Sequence, residues 1–148
     1  MKNIFDPKDN QEIIKRIHNL TPESKPLWGK MSVDQMLSHC ISPIAVALGI
    51  ETLKISFPMR MLGRMMKKSW LDAPEFKKNS PTAKEFIRKE TYDFELTKNQ
   101  LIERIQKLGE GFQVVQLEVH PFWGKLNEAD WNNLQWKHLD HHLRQFGV

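Results

Sequence analysis

Cysteine is almost absent from this chain of 148 residues: Cys40 stands alone, so no internal disulfide can form. A lone thiol suits a reducing cytoplasm, which is the expected compartment. No apolar run approaches the roughly 18 residues that cross a bilayer. The first residues, Met1 to Pro7, lack the apolar core of a secretion signal. Charge of one sign is scarce too. The 22 basic residues exceed the 18 acidic ones by only 4, too few to give a nucleic-acid footprint. There is no Gly-rich phosphate loop, no Gly-x-Ser-x-Gly elbow and no paired-cysteine motif. Neither nucleic acid nor a membrane is therefore an expected partner.

What the chain does have is histidine, concentrated near one end. Three fall within five residues in Lys137-His138-Leu139-Asp140-His141-His142. On a helix, His138 and His142 project from one face about 6 Å apart along the axis. Two imidazoles on adjacent turns can share a divalent cation, and a third ligand must come from elsewhere.

Length and composition, 40% hydrophobic and 27% charged, predict one domain over residues 1–148 with a core of its own. Helix signals dominate. Asn10 to Leu20 carries Ile13, Ile14, Ile17 and Leu20 at helical spacing, and Thr21-Pro22-Glu23-Ser24 reads as a turn or a new start. Ser32-Val33-Asp34-Gln35 is a capping box that opens a helix to about Leu48, with Pro43 as a kink point and Gly49 as a stop. Ser56-Phe57-Pro58 begins a methionine-rich helix. Pro74, Asn79, Ser80 and Pro81 mark a loop around one short helix at most. Thr97-Lys98-Asn99-Gln100 reads as a capping box for a helix ended by Gly109 and Gly111. Val114 to Val119 reads as extended chain. Asn127 caps a last long helix that stops near Phe146 and Gly147. Four substantial helices with few strand signals predict an all-α bundle, whose interior is where such folds build metal sites.

An internal echo locates a third ligand. Pro26-Leu27-Trp28-Gly29-Lys30-Met31-Ser32 parallels Pro121-Phe122-Trp123-Gly124-Lys125-Leu126-Asn127, and each segment leads into a helix. His39 is the seventh residue after the first cap. His138 and His142 are the eleventh and fifteenth after the second. At about 100° per residue the three fall within about 80° of phase. His141, the fourteenth, has nearly the phase of His39 and lies in a comparable arc with His138, so phase alone does not separate it from His142 as the partner of His138. The smooth drift of seven, eleven and fifteen favours His39, His138 and His142. On residues alone, a hydrogen-bonded core histidine is an equal reading of His39.

These residues resemble the DinB-like superfamily. The resemblance lies in Gln35-Met36-Leu37-Ser38-His39 on the second helix and His138-x-x-His141-His142 on the last. The run His120 to Leu126, with Lys137 to Phe146, is similar to an uncharacterised branch of it. The usual Arg-Gly-Gln after the third histidine is replaced by His142-Leu143-Arg144-Gln145. The resemblance implies a four-helix bundle of up-down-down-up connectivity. It also implies a divalent metal, zinc or nickel, held by His39, His138 and His142. The expected activity is hydrolysis or thiol-dependent transfer on a small-molecule substrate, itself a thiol in the second case. The alternative is a non-catalytic interaction module, for which a homodimer through the methionine-rich helix would fit.

The remaining signals read as structural. His120 is a loop residue before Pro121, with a pocket-mouth role as the alternative. His18 is a helix-end residue, and Cys40 packs rather than reacts. The tryptophans, Trp28, Trp123, Trp131 and Trp136 among them, anchor the core and the helix entrances. Gln35 and Gln145 are candidate donors to the metal-binding imidazoles. Asp34 and Asp130 serve helix N-termini and are not promoted to general bases. For Met59 to Met66, with Arg60, Arg64, Lys67 and Lys68, a basic amphipathic membrane helix or a partner groove is one reading, and buried methionine on one face with solvated charge on the other is the expected arrangement.

Overall fold

In a computed structural model describing residues 2–80, 82 and 84–148, the chain is mostly helical. Among these residues there are five α-helices: α1 (Pro7–His18), α2 (Val33–Ala47), α3 (Phe57–Asp72), α4 (Phe94–Leu108) and α5 (Glu128–Gln145). A two-stranded antiparallel sheet joins β1 (Val119–His120) to β2 (Gly124–Lys125), with His120 opposite Gly124.

The helix starts follow from local chemistry. Asp6 accepts from the backbone N–H groups of Lys8 and Asp9, and Pro7 occupies the first turn, where its missing N–H costs nothing. The start is thus earlier than the apolar pattern alone suggests. At α2, the Ser32 N–H donates to the Gln35 side chain at 3.2 Å. Pro43 lies inside this helix without ending it. At α5, the Asn127 side chain accepts from the Asp130 N–H at 2.8 Å, and Asp130 accepts from the Asn127 N–H at 3.3 Å.

Three expectations are corrected and one open reading is decided. The cap of α4 is Asp93, not Thr97: its carboxylate accepts from the Leu96 N–H at 2.8 Å, and Thr97 instead donates its hydroxyl to the Asp93 carbonyl. Of the two readings of Thr21 to Ser24 the structure takes the turn, closed by the Ser24 N–H on the Thr21 carbonyl at 3.0 Å. Phe112–Val114 is a 3-10 turn, and pairing begins only at Val119. Among the described residues there are five substantial helices rather than four, because α3 is a full 16 residues long. In the loop after α3, Lys84–Phe86 forms a single 3-10 turn. Pro81, also expected in that loop, lies outside the described residues.

The core forms where α4 packs on α1 and α2, and α5 packs on the same two helices. Ile13 and Ile17 of α1, Met36 and Ile44 of α2, Ile105 of α4 and Trp131 of α5 are all essentially inaccessible to water. Burying each such side chain stabilises the fold by about 1.5–3 kcal/mol before conformational entropy is subtracted. Cys40 is in this core, its Sγ 3.7 Å from the Met36 sulfur, and burial pushes its thiol far above the ordinary range.

Helix α3 joins this core only toward its C-terminal end, through Leu71 with Met66 and Trp70 packed beside it. It is held by Gly63, where a Cβ would fall on the Phe122 carbonyl and ring. Lys137 of α5 donates to the carbonyls of Trp70, Leu71 and Ala73 at 3.1, 2.5 and 2.7 Å, closing the C-terminal end of α3. The methionine expectation is overturned here: Met61 and Met65 face outward, Met65 being 80% exposed. The side of α3 that meets the body needs little area, because Gly63 lets the backbones approach. No helix among the described residues is long and apolar enough to cross a membrane.

Candidate metal centre

Helix α2 presents His39 and helix α5 presents His138 and His142, on adjacent turns, toward one point between the two helices. One ring nitrogen from each lies within 4.8 Å of the other two. The His39 and His138 Nε2 atoms are 2.9 Å apart. Ring centroids are 4.9 Å apart for His39 and His138, and 4.7 Å for each of the other pairs. His39 and His142 are buried and His138 is half-buried. His141 points elsewhere: its ring packs against Trp28 at 5.8 Å and Phe76 at 6.3 Å. It forms one wall of a cleft of about 70 Å³ shared with Trp28, Phe76 and Arg144.

A family model described as a protein of unknown function, DUF1569, matches residues 2–147. The chain belongs to this family. No curated protein and no solved structure matches the chain. The match is silent on the DinB-like resemblance, which rests on the residues alone.

In this DUF1569 member the proton positions on two imidazoles follow from their partners. His39 Nδ1 lies 2.9 Å from the Phe86 carbonyl, which can only accept, so Nδ1 carries the proton and Nε2 offers a lone pair. Gln145 donates its Nε2 to the Trp28 carbonyl at 2.7 Å, which turns its Oε1 toward His142 Nδ1 at 2.9 Å. His142 therefore donates from Nδ1 and also keeps Nε2 bare. His138 differs: its Nδ1 is buried with no hydrogen-bond partner.

Burial holds all three rings neutral at pH 7. Desolvation is the main cause of the lowered pKa of His39, and the Arg88 charge adds to it against the opposing Phe86 carbonyl. His142 is pushed down to about 3 by burial and then by the His39 charge. His138 falls well below the ordinary value through burial and then through His142 and His39. Neutral imidazole is the form that ligates a metal.

The cluster fits a cation better than it fits its own atoms. With His39 Nε2 bare, His138 Nε2 donates to it, which leaves the His138 Nδ1 lone pair dry. A tetrahedral site with bonds of about 2.0–2.1 Å places its nitrogens about 3.3 Å apart, inside the observed range of 2.9 to 4.8 Å.

A strap of chain after the 3-10 turn fixes His39 from outside. Arg88 donates from Nε to the Ser38 hydroxyl at 3.0 Å, from Nη2 to the Ser42 hydroxyl, and from Nη1 to the Glu85 carbonyl at 3.0 Å. It thereby clamps residues 85–88, and the Phe86 carbonyl with them, against α2. Tyr92 N–H donates to Asp34 at 2.8 Å, and Gln35 donates to the Glu90 carbonyl at 3.1 Å. Gln35 thus serves the strap and the cap and does not touch the histidines, whereas Gln145 does. The roles of Phe86 and Arg88 are not visible from the sequence. A backbone carbonyl has no residue signature, and Arg88 lies 49 positions from His39.

The other flagged residues fall outside the triad. His120 is buried, and its Nδ1 accepts from the N–H groups of Phe122 and Trp123 at 3.1 and 3.2 Å. It holds the β1–β2 turn closed. His18 is exposed at the end of α1. Trp123 and Trp131 are in the core, while Trp28 lines the cleft beside His141.

Proposed function

We propose that this protein binds one divalent metal ion through His39, His138 and His142, and that the centre is catalytic, in hydrolysis or in thiol-dependent transfer. The observation that carries the reading is the convergence of three neutral imidazoles from two helices, two of them oriented by fixed acceptors. Imidazole donors suit zinc or nickel, and we propose one of these. A cation held by three neutral ligands keeps its full charge and an open position, which supplies Lewis acidity toward a small-molecule substrate, a thiol in the transfer case.

The chain's own contribution is to orient and to enclose. Phe86 and Gln145 hold two rings with Nε2 bare. Trp28, Phe76 and His141 wall a cleft beside the centre, the His141 ring lying 5.1 Å from that of His142. We assign the fold to the DinB-like type, a bundle of α1, α2, α4 and α5 with up-down-down-up connectivity. Support comes from the packing of α4 and α5 on α1 and α2 and from the two-helix origin of the histidines. The single unpaired Cys40 supports a reducing, cytoplasmic setting.

Purified protein without a histidine tag is expected to carry about one equivalent of zinc or nickel by elemental analysis. Metal-free protein that keeps its helices and takes up neither ion on titration would overturn the reading. The small cleft beside His141, about 70 Å³, favours a second reading, a metal-holding module without turnover. Metal-dependent hydrolysis or thiol transfer in an activity screen separates the two.

The strap gives a further expected result. Arg88→Met should weaken metal binding about 10–100-fold, the effect usual for groups that orient a ligand. Circular dichroism should remain unchanged, since Arg88 lies at the surface of α2. Equal affinity in a competition titration would show that the Phe86 carbonyl needs no clamp.

A further inference from the structure

Helix α3 is built inside out. At about 100° per residue, Phe57, Met61 and Met65 share one sector of the helix with Leu62 at its edge, and Gly63 and Trp70 lie on the opposite side. The structure buries Gly63 and Leu71 and packs Met66 and Trp70 on the body, while Phe57 is 70% exposed, Met61 51% and Leu62 44%. Such a contiguous apolar face marks a binding surface.

Charge says what covers it. Lys54, Arg60, Arg64, Lys67 and Lys68 fall between residues 52 and 71, and no Asp or Glu does. Lys67 is used internally, in an ion pair with Asp130 at 2.9 Å and a bond to the Lys125 carbonyl. Among the described residues Lys54, Arg60, Arg64 and Lys68 make no ion pair. On the helix, Arg60, Arg64 and Lys68 form one edge that borders the apolar sector. An apolar stripe rimmed by cations with long stems is the pattern of a helix lying in the plane of an anionic bilayer surface, rings and thioethers below and charges at the headgroups.

We propose that α3 docks this protein peripherally on anionic phospholipid. A second copy of the chain fits the same face less well, because its α3 would bring four further cations, Arg60, Arg64, Lys67 and Lys68, against the single carboxylate of Asp72. The contact needs no spanning helix, so it revises only the expectation that no membrane is involved. It does not depend on the metal centre.

The test is co-sedimentation of the full chain with vesicles of phosphatidylglycerol and phosphatidylcholine, against vesicles of phosphatidylcholine alone. Pelleting with the anionic vesicles only, reversed by salt, is expected. Arg60→Gln and Lys68→Gln should each lower the partition coefficient roughly fivefold. Met65→Glu should abolish binding without loss of helical signal, since Met65 touches little of the body. Protein that stays in the supernatant with anionic vesicles overturns the proposal, as does equal binding to neutral ones. A micromolar dimer that Met65→Glu splits would assign the face to a second copy and overturn it equally.

Discussion

His138→Ala is expected to remove the metal altogether, lowering affinity by more than about 100-fold, the upper end of what the loss of a merely orienting neighbour produces. Two neutral nitrogens would remain, one from each helix, one fewer than the three protein ligands an open zinc site uses. The fold should survive. His138 Nδ1 has no partner to lose. Elemental analysis and a thermal melt, run side by side, check both statements. His141→Ala is the matched control: its ring faces Trp28 and Phe76, and metal should stay bound. Loss of metal from the His141 variant, with retention in the His138 variant, would exchange their roles.

Acid should weaken the fold through a residue far from that centre. Burial pushes His120 down to about 4 from the ordinary 6.5. Its folded form is neutral, and its Nδ1 lone pair accepts two backbone N–H groups that an imidazolium could not serve. Between pH 6.5 and 4 the unfolded chain binds the proton and the folded chain does not, so stability in this window rises with pH. The contribution is complete above pH 6.5 and is lost as the pH falls to about 4, amounting to about 3 kcal/mol. His120→Asn isolates it, because an amide oxygen can accept the same two bonds and does not titrate. Urea denaturation of both proteins at pH 7 and pH 4.5 should show a gap that narrows or reverses toward acid. Parallel pH dependence would remove His120 as the cause.

Much of the skeleton was legible, and the reasons are local. Asn127 and Ser32 announce their helices because capping depends on a few adjacent side chains. The echo of Pro-x-Trp-Gly-Lys proved useful because both glycines adopt left-handed backbone, φ +81° at Gly29 and +77° at Gly124, so each chain turns into its helix in a comparable way. Phase counted from those caps placed His39, His138 and His142 on facing surfaces, and the structure brings the three together. Asp93 was missed because Thr97 offers the same signature four residues on. Tertiary packing of Phe94 on the core was the deciding term. The face of α3 was misread for a similar reason: periodicity shows that a helix has two sides but not which one meets the body. That choice was made by Gly63, through a contact with Phe122 across 59 positions.

The line of bonds from the Trp28 carbonyl through Gln145 to His142 makes Gly29 more than a bend. Any side chain there would strike the Gln145 amide, besides straining a positive φ. The smallest residue of a solvent-facing loop thereby becomes the far end of a lever, and a single methyl group added at that end would swivel an imidazole on the last helix.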